Sequence, residues 1–168
     1  RRIFAVIPAA GCGSRMQADR PKQYLPINGR TILEVTVSAL LDVPEIDGMF
    51  VGVSPEDDTA ETLPMAAAVL KTGGATRAET VFQTLEALSD TIAENDLVLV
   101  HDAARPLVTP TDVSKLIAET VRFRKEDIAA GAVLAVPVWD TVKRVDKEGI
   151  VVEDVERDGL MRIATPQC

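Results

Sequence analysis

The chain is expected to fold as an α/β domain: a Rossmann-like, mostly parallel sheet with helices on both faces, plus a protruding β-hairpin arm. Three observations predict this. Apolar runs of strand length alternate with segments that carry helix-start signals. Polar loops of small residues leave the C-terminal ends of three of those runs. After Pro137 the pattern changes to two short strand-like runs flanking Asp146-Lys147-Glu148-Gly149.

Taken in order, Ile3-Phe4-Ala5-Val6-Ile7 reads as a buried strand. Thr31-Ile32-Leu33-Glu34 matches a capping box and opens a helix to about Leu41. Met49 to Val53 reads as a second strand. Pro55 to Thr62 fits helix or loop, and Ala66 to Leu70 is read as a strand. Thr76-Arg77-Ala78-Glu79 is a second capping box. Behind it Ala78, Val81, Phe82, Leu85 and Leu88 fall at helical spacing and predict the buried face. Leu97 to Val100 is a buried strand. Thr109-Pro110-Thr111-Asp112 offers an N-cap, a first-turn proline and an acid near the positive helix end, with Val113, Leu116 and Ile117 as the buried stripe. Ala132 to Val136 is a further strand. Thr141 to Val145 and Ile150 to Val152 form the hairpin, with glycine at its turn. It suits an arm on a second subunit and an ordinary surface hairpin equally.

Composition narrows the classes of function. A chain of 168 residues, 46% hydrophobic, is long enough for one domain with a substantial core. The net charge of −8 gives no global attraction to nucleic acid, so positive charge must act locally. No apolar run reaches the ~20 residues that span a bilayer, and no signal-peptide pattern precedes the first strand. Cys12 and Cys168 make no disulfide or metal framework. The expected setting is cytoplasmic, with no membrane and no nucleic-acid partner.

The chemistry concentrates at Pro8-Ala9-Ala10-Gly11-Cys12-Gly13-Ser14-Arg15-Met16, followed by Arg20-Pro21-Lys22-Gln23. Small residues allow close approach to the backbone, and exposed N–H groups in such a loop can cradle an anion. Arg15 and Lys22 bring two cations there, which suggests a triphosphate-handling loop. A dinucleotide fingerprint is excluded because Met16 stands where a small residue is needed. A Walker loop is excluded because no Gly-Lys-Ser/Thr ending exists. A tight strand-to-helix turn with incidental cations accounts for the same letters. In parallel sheets ligands bind beyond the strand C-termini. That would bring this loop, Gly73-Gly74-Ala75-Thr76-Arg77 and His101-Asp102-Ala103-Ala104-Arg105-Pro106 to one edge. Asp102 can bind Mg²⁺ beside phosphate oxygens or cap a turn. Arg105 suits phosphate or a surface ion pair. His101, the only histidine, is read as structural, since no triad or zinc cluster surrounds it.

These residues resemble the 2-C-methyl-D-erythritol 4-phosphate cytidylyltransferase family of the non-mevalonate isoprenoid pathway. The matching pieces are Ala9-Ala10-Gly11-x-Gly13-x-Arg15-Met16, Pro21-Lys22-Gln23-Tyr24-Leu25, Gly73-Gly74-x-x-Arg77, Val100-His101-Asp102-Ala103-Ala104-Arg105-Pro106, Asp140-Thr141-Val142-Lys143-Arg144 and Thr165-Pro166-Gln167. They lie in order over nearly the whole chain. The first two alone would indicate only a nucleotidyltransferase of the sugar-phosphate type. The resemblance implies one domain of the nucleotide-diphospho-sugar transferase type over residues 1–168, with the arm at about 138–160. It implies attack by an acceptor phosphate on the α-phosphorus of CTP, giving a CDP-alcohol and pyrophosphate.

Roles follow from the same resemblance. Arg15 and Lys22 would contact the triphosphate as the catalytic cations. Ala9, Ala10, Gly11, Gly13 and Ala103 would hold the nucleotide, and Gly73, Gly74 and Thr80 would read cytosine. Thr80 stands where the family usually has serine. Asp102 would bind Mg²⁺. Arg105, Thr141, Arg157 and Thr165 would hold methylerythritol phosphate. The arm would pack on a second subunit in a homodimer, Thr141 reaching the neighbouring site. The family domain normally runs some tens of residues past Thr-Pro-Gln, so its C-terminal part is expected to be absent here. A related cytidylyltransferase for ribitol 5-phosphate, and an inactive nucleotide-binding fragment, are the alternatives.

Overall fold

A computed structural model describes residues 1–11 and 20–168. The central sheet contains six strands: β1 (Ile3–Pro8), β4 (Gly48–Gly52), β5 (Ala68–Leu70), β6 (Leu97–Val100), β7 (Val133–Pro137) and β10 (Met161–Gln167). Their order is β5-β4-β1-β6-β10-β7. β1 pairs in parallel with β4 and β6, and β4 pairs in parallel with β5. β10 runs antiparallel to both β6 and β7. The sheet is therefore mostly parallel, as expected, with one reversed strand that the sequence pattern did not announce. β2 (Pro26–Ile27) and β3 (Arg30–Thr31) form a small ribbon.

Among the described residues, three α-helices cover the sheet: α1 (Ile32–Leu41), α2 (Arg77–Ala87) and α3 (Pro110–Lys125). The α1 capping box is complete. Thr31 Oγ1 accepts the Glu34 N–H at 3.2 Å, and Glu34 Oε2 accepts the Thr31 N–H at 2.7 Å. That main-chain donor holds the Glu34 carboxyl below its usual range. The box at α2 is half made. Thr76 accepts the Glu79 N–H, but Glu79 reaches one residue further back, to the Ala75 N–H at 2.8 Å. Thr109 caps α3, with Pro110 in the first turn.

The two faces of β1 sort the core. Ala5 and Ile7 join the buried cluster that holds Leu33, Val37 and Leu40 of α1 and Val113, Leu116 and Ile117 of α3. Burial of each of these larger side chains contributes on the order of 1.5–3 kcal/mol. α2 packs on the opposite face, against β1 and β4. Here the expected apolar stripe is corrected. Ala78 is exposed and Phe82 is 62% exposed, whereas Thr80 and Thr84 are buried along with Leu88. The threonines tolerate burial because each hydroxyl donates to the carbonyl four residues back, Thr76 and Thr80 respectively. A glycine makes the close approach possible. A Cβ on Gly52 would lie 2.5 Å from Thr84 Oγ1.

The segment from Pro55 to Thr62 is mainly loop, with one 3-10 turn at Ala60–Thr62. The hairpin pairs β8 (Val142–Val145) with β9 (Val151–Val155) in a sheet of its own. Gly149 takes φ +85° at its turn. Only Val142 and Val155 are half-buried within its strands. Among the described residues no helix is long and apolar enough to cross a membrane.

Gly52→Ala should lower stability in urea by about 1–3 kcal/mol, the range for overpacking a core. Adding Thr84→Ala should restore part of that loss. A Gly52→Ala protein with an unchanged midpoint would show that α2 does not seat on β4 through this gap.

Candidate active site

The parallel strands β1, β4, β5 and β6 end at one edge, and main-chain bonds continue beyond them. The Ala9 N–H meets the Gly52 carbonyl at 2.7 Å, the Gly73 N–H meets the Val53 carbonyl at 2.7 Å, and the His101 N–H meets the Val6 carbonyl at 3.0 Å. These bonds hold three loops around a cleft of about 550 Å³. Its walls are Pro8 to Gly11, Lys22 and Gln23, Gly74 to Arg77 with Thr80, and Asp102 to Ala104. Gly73 lets two walls touch. A Cβ there would lie 2.5 Å from Ala10 Cβ and 2.7 Å from the Val53 carbonyl oxygen.

Buried polar side chains fasten these loops by their main chains. Gln23 is 6% exposed, and its Nε2 donates to the Ala9 carbonyl at 2.7 Å and to the Gly11 carbonyl at 3.3 Å. Tyr24, next along the same 3-10 turn (Lys22–Tyr24), donates its hydroxyl to Asp57 Oδ2 at 2.5 Å. Burial first, then the Asp57 bond, pushes its phenol far above the usual range. Lys22, on that turn, is thereby presented at the cleft wall. Thr36, fully buried in α1, directs its hydroxyl at the carbonyls of Ile32 and Ala103, at 2.9 and 3.0 Å. Thr80 Oγ1 accepts the Gly74 N–H at 3.0 Å and donates to the Thr76 carbonyl at 3.1 Å. The hydroxyl expected to read a base is thus already engaged in shaping the glycine loop, and one lone pair remains on it.

Among the described residues that line the cleft, Asp102 is the carboxylate, with about a third of its side chain exposed. Arg77, the first residue of α2, donates Nε to Asp102 Oδ1 at 2.8 Å, and Arg105 Nε lies 3.9 Å from Oδ2. The pair with Arg77 crosses the cleft from one wall to another. The Asp102 N–H reaches Thr165 Oγ1 of β10 at 3.3 Å. His101 is fully buried, and burial pushes its imidazole pKa down. Among the described residues no group of three or more His, Cys, Asp or Glu could hold a metal. A divalent cation at Asp102 would therefore draw most of its ligands from phosphate oxygens and water, an arrangement that suits Mg²⁺.

The model of the 2-C-methyl-D-erythritol 4-phosphate cytidylyltransferase family matches residues 3–168. The chain belongs to this family. Cytidylyltransferases of that name from Haemophilus influenzae (strain PittGG) and Alteromonas mediterranea are 45% and 46% identical to it over 168 and 169 residues. Each match covers 99% of this chain and 70% or 68% of the relative. A crystal structure of a 4-diphosphocytidyl-2C-methyl-D-erythritol synthase superposes with a TM-score of 0.83 at 38% identity, over 99% of this chain and 74% of that one. The cytidylyltransferase from Thermus thermophilus gives a TM-score of 0.73 at 33% identity, over 99% and 70%.

Of the residues that the family resemblance marks, Ala9, Ala10, Gly11, Lys22, Gly74, Thr80, Asp102 and Ala103 line this one cleft. Gly73 braces it from behind, and Arg105 and Thr165 adjoin Asp102. Thr141 and Arg157 do not line it. Thr141 is exposed just before β8, and Arg157 is exposed with its guanidinium donating to the Trp139 carbonyl. Gly13 and Arg15 lie outside the described residues. Sequence reasoning gave no role to Gln23, Thr36 or Arg77. Gln23 and Arg77 sat inside quoted motifs; Thr36 carried no signal, being one more residue of a helix.

Gln23→Leu should lower stability in urea by about 1–3 kcal/mol, because the Ala9 and Gly11 carbonyls lose their shared donor. Tyr24→Phe, which loses one bond, should cost about 1 kcal/mol. A wild-type midpoint for Gln23→Leu would contradict the fastening assigned to it.

Proposed function

We propose that this protein transfers CMP from CTP to 2-C-methyl-D-erythritol 4-phosphate, releasing pyrophosphate and forming 4-diphosphocytidyl-2-C-methyl-D-erythritol. The observation that carries this reading is one cleft that gathers Lys22, Arg77 and Asp102 with a small-residue loop, Arg105 adjoining Asp102, in a chain of this family. The nucleophile is an acceptor phosphate oxygen, ionised at neutral pH, so no general base is needed. The cleft fits that requirement. Asp102, its carboxylate, is committed to arginines, and both ring nitrogens of buried His101 are occupied.

The barrier lies in bringing anions together and stabilising charge at phosphorus. Positioning and fixed electrostatics supply most catalysis in phosphoryl transfer, and the same logic extends to nucleotidyl transfer. Lys22, with Arg15, contacts the triphosphate. Main-chain groups of Ala9, Ala10, Gly11 and Gly13 hold it, beside Ala103. Gly73, Gly74 and the remaining lone pair of Thr80 read cytosine; a mismatched base would leave buried polar groups unpaired. Asp102 would hold Mg²⁺, which would supply neutralisation of phosphate charge, while Arg77 directs the Asp102 carboxylate across the cleft. Arg105 and Thr165 hold the acceptor.

The arm completes the site of a second copy. Val145, Ile150, Val151 and Val152 are exposed on it, an apolar content that a neighbouring subunit would cover. Thr141 and Arg157 reach the acceptor across that homodimer contact. The enzyme works in the cytoplasm.

Pyrophosphate release should require CTP, methylerythritol phosphate and Mg²⁺ together, and stop on chelation. Lys22→Ala should reduce kcat/KM by about 100-fold or more with little change in melting temperature. Turnover with ribitol 5-phosphate and none with methylerythritol phosphate would overturn the acceptor assignment. A Lys22→Ala protein that keeps its rate would overturn the role of the lysine.

A further inference from the structure

We infer that His101 is a positioning residue for the acceptor side of the site: its buried ring sets where Arg105 leaves its loop and locks Thr165 of β10 against Asp102. The inference rests on the proposed cytidylyl transfer for its kinetic part alone. Its geometry stands independently.

The ring lies at the end of β6, fully buried. Nε2 is 3.0 Å from the Arg105 carbonyl oxygen, and Nδ1 is 3.1 Å from Thr165 Oγ1. A carbonyl can only accept, so Nε2 carries the hydrogen. Nδ1 is then an acceptor, and the proton it takes is that of the Thr165 hydroxyl. The opposite neutral tautomer would set the Nε2 lone pair against the carbonyl oxygen. With its proton given to His101, Thr165 Oγ1 accepts the Asp102 N–H at 3.3 Å. The chain of bonds is directional from end to end: Asp102 N–H to Thr165 oxygen, Thr165 hydroxyl to Nδ1, Nε2–H to the Arg105 carbonyl.

This chain does two things. It spans the turn from His101 to Arg105 from the inside, across the closing bond from the Arg105 N–H to the Asp102 carbonyl at 3.2 Å. It also bolts that turn to β10, a strand paired with β6 at one register position, Gln167 to Val100. Arg105 itself is largely exposed, so its side chain has little else to fix its direction. None of the bonds to the ring involves the opening loop or Gly73 and Gly74. Asp102 and Ala103 lie within the turn, so disturbing the ring should reach the phosphate side as well, but less than the acceptor side, where Arg105 and Thr165 are bonded to the ring directly.

Two substitutions separate the arms. His101→Asn places a side-chain oxygen near the Nδ1 position, keeping an acceptor for Thr165 and losing the bond to Arg105. His101→Gln places an amide N–H near the Nε2 position, keeping the bond to Arg105 and losing the acceptor. His101→Asn should raise the acceptor KM about tenfold, the order expected when a buried partner is left unpaired. The CTP KM should rise less than the acceptor KM, and His101→Gln should recover part of the acceptor KM. Unchanged KM values with only a lower melting temperature, or equal rises in both, would overturn the inference. A second test needs no turnover and is clean because His101 is the only histidine. ¹⁵N spectroscopy of the wild-type ring should show a protonated Nε2 and a bare, hydrogen-bonded Nδ1. Thr165→Val should shift Nδ1 and leave Nε2 in place. A ring protonated at Nδ1, or an Nδ1 signal indifferent to Thr165→Val, would overturn it. If methylerythritol phosphate is not the acceptor, the kinetic arm fails with the proposed function while the spectroscopic arm still decides.

Discussion

Loops built from alanine and glycine cannot hold themselves in place, and this cleft is lined by such residues: Ala9, Ala10, Gly11, Gly74, Ala103 and Ala104. Small side chains keep the space open for a large ligand but offer almost no packing. The structure supplies the missing restraint from behind, through polar side chains that grip the main chain. Gln23 holds the carbonyls of Ala9 and Gly11, Thr36 that of Ala103, and His101 that of Arg105. Thr80 and Thr165 hold the N–H groups of Gly74 and Asp102. Each bond contributes only about 0.5–1.5 kcal/mol net, but a buried partner left without one costs more than that. The loops are thus held less by the strength of these bonds than by the expense of breaking them.

The charge distribution serves the same end. The chain carries a net −8, yet Arg77 and Arg105 flank the one carboxylate among the described residues lining the cleft, and Lys22 lines the same cleft. Fixed charges of this kind are more effective than mobile ones because they need no reorganisation during a reaction. The Arg77–Asp102 pair has a structural consequence too. Arg77 begins α2 and Asp102 follows β6, so the pair ties the two walls that lie on either side of β1. Both partners are partly exposed, so the pair adds little to global stability. Its value is in direction, since it aims the Asp102 carboxylate at the cleft.

Much of this was legible in the letters. The apolar runs gave β1, β4 and β6 to within a residue or two, because buried parallel strands read as continuous hydrophobic stretches; β7 was found by the same signal although it is a half-exposed edge strand paired antiparallel with β10. The Thr31 and Thr109 caps were legible for the same local reason: the signal and the bond lie within four residues. Three features were not. The inner face of α2 is threonine, which periodicity scores as polar although its hydroxyls are satisfied by the helix itself. β10 pairs with strands distant in sequence, contains Pro166, and is mostly exposed, so nothing local marks it. The grips of Gln23, Thr36 and His101 are tertiary contacts between a side chain and a remote main chain, and no spacing rule encodes them. His101 is the satisfied buried histidine that its surroundings in the sequence suggest; what satisfies it could be known only once β10 was in place.

A crystal structure with CTP and Mg²⁺ bound is the most direct test of this arrangement. The base should lie against the Gly73–Gly74 loop and the triphosphate between Lys22 and Asp102, with the Gln23, Thr80 and His101 bonds kept as described above. A nucleotide seated elsewhere, or one that enters only after those bonds are broken, would contradict it.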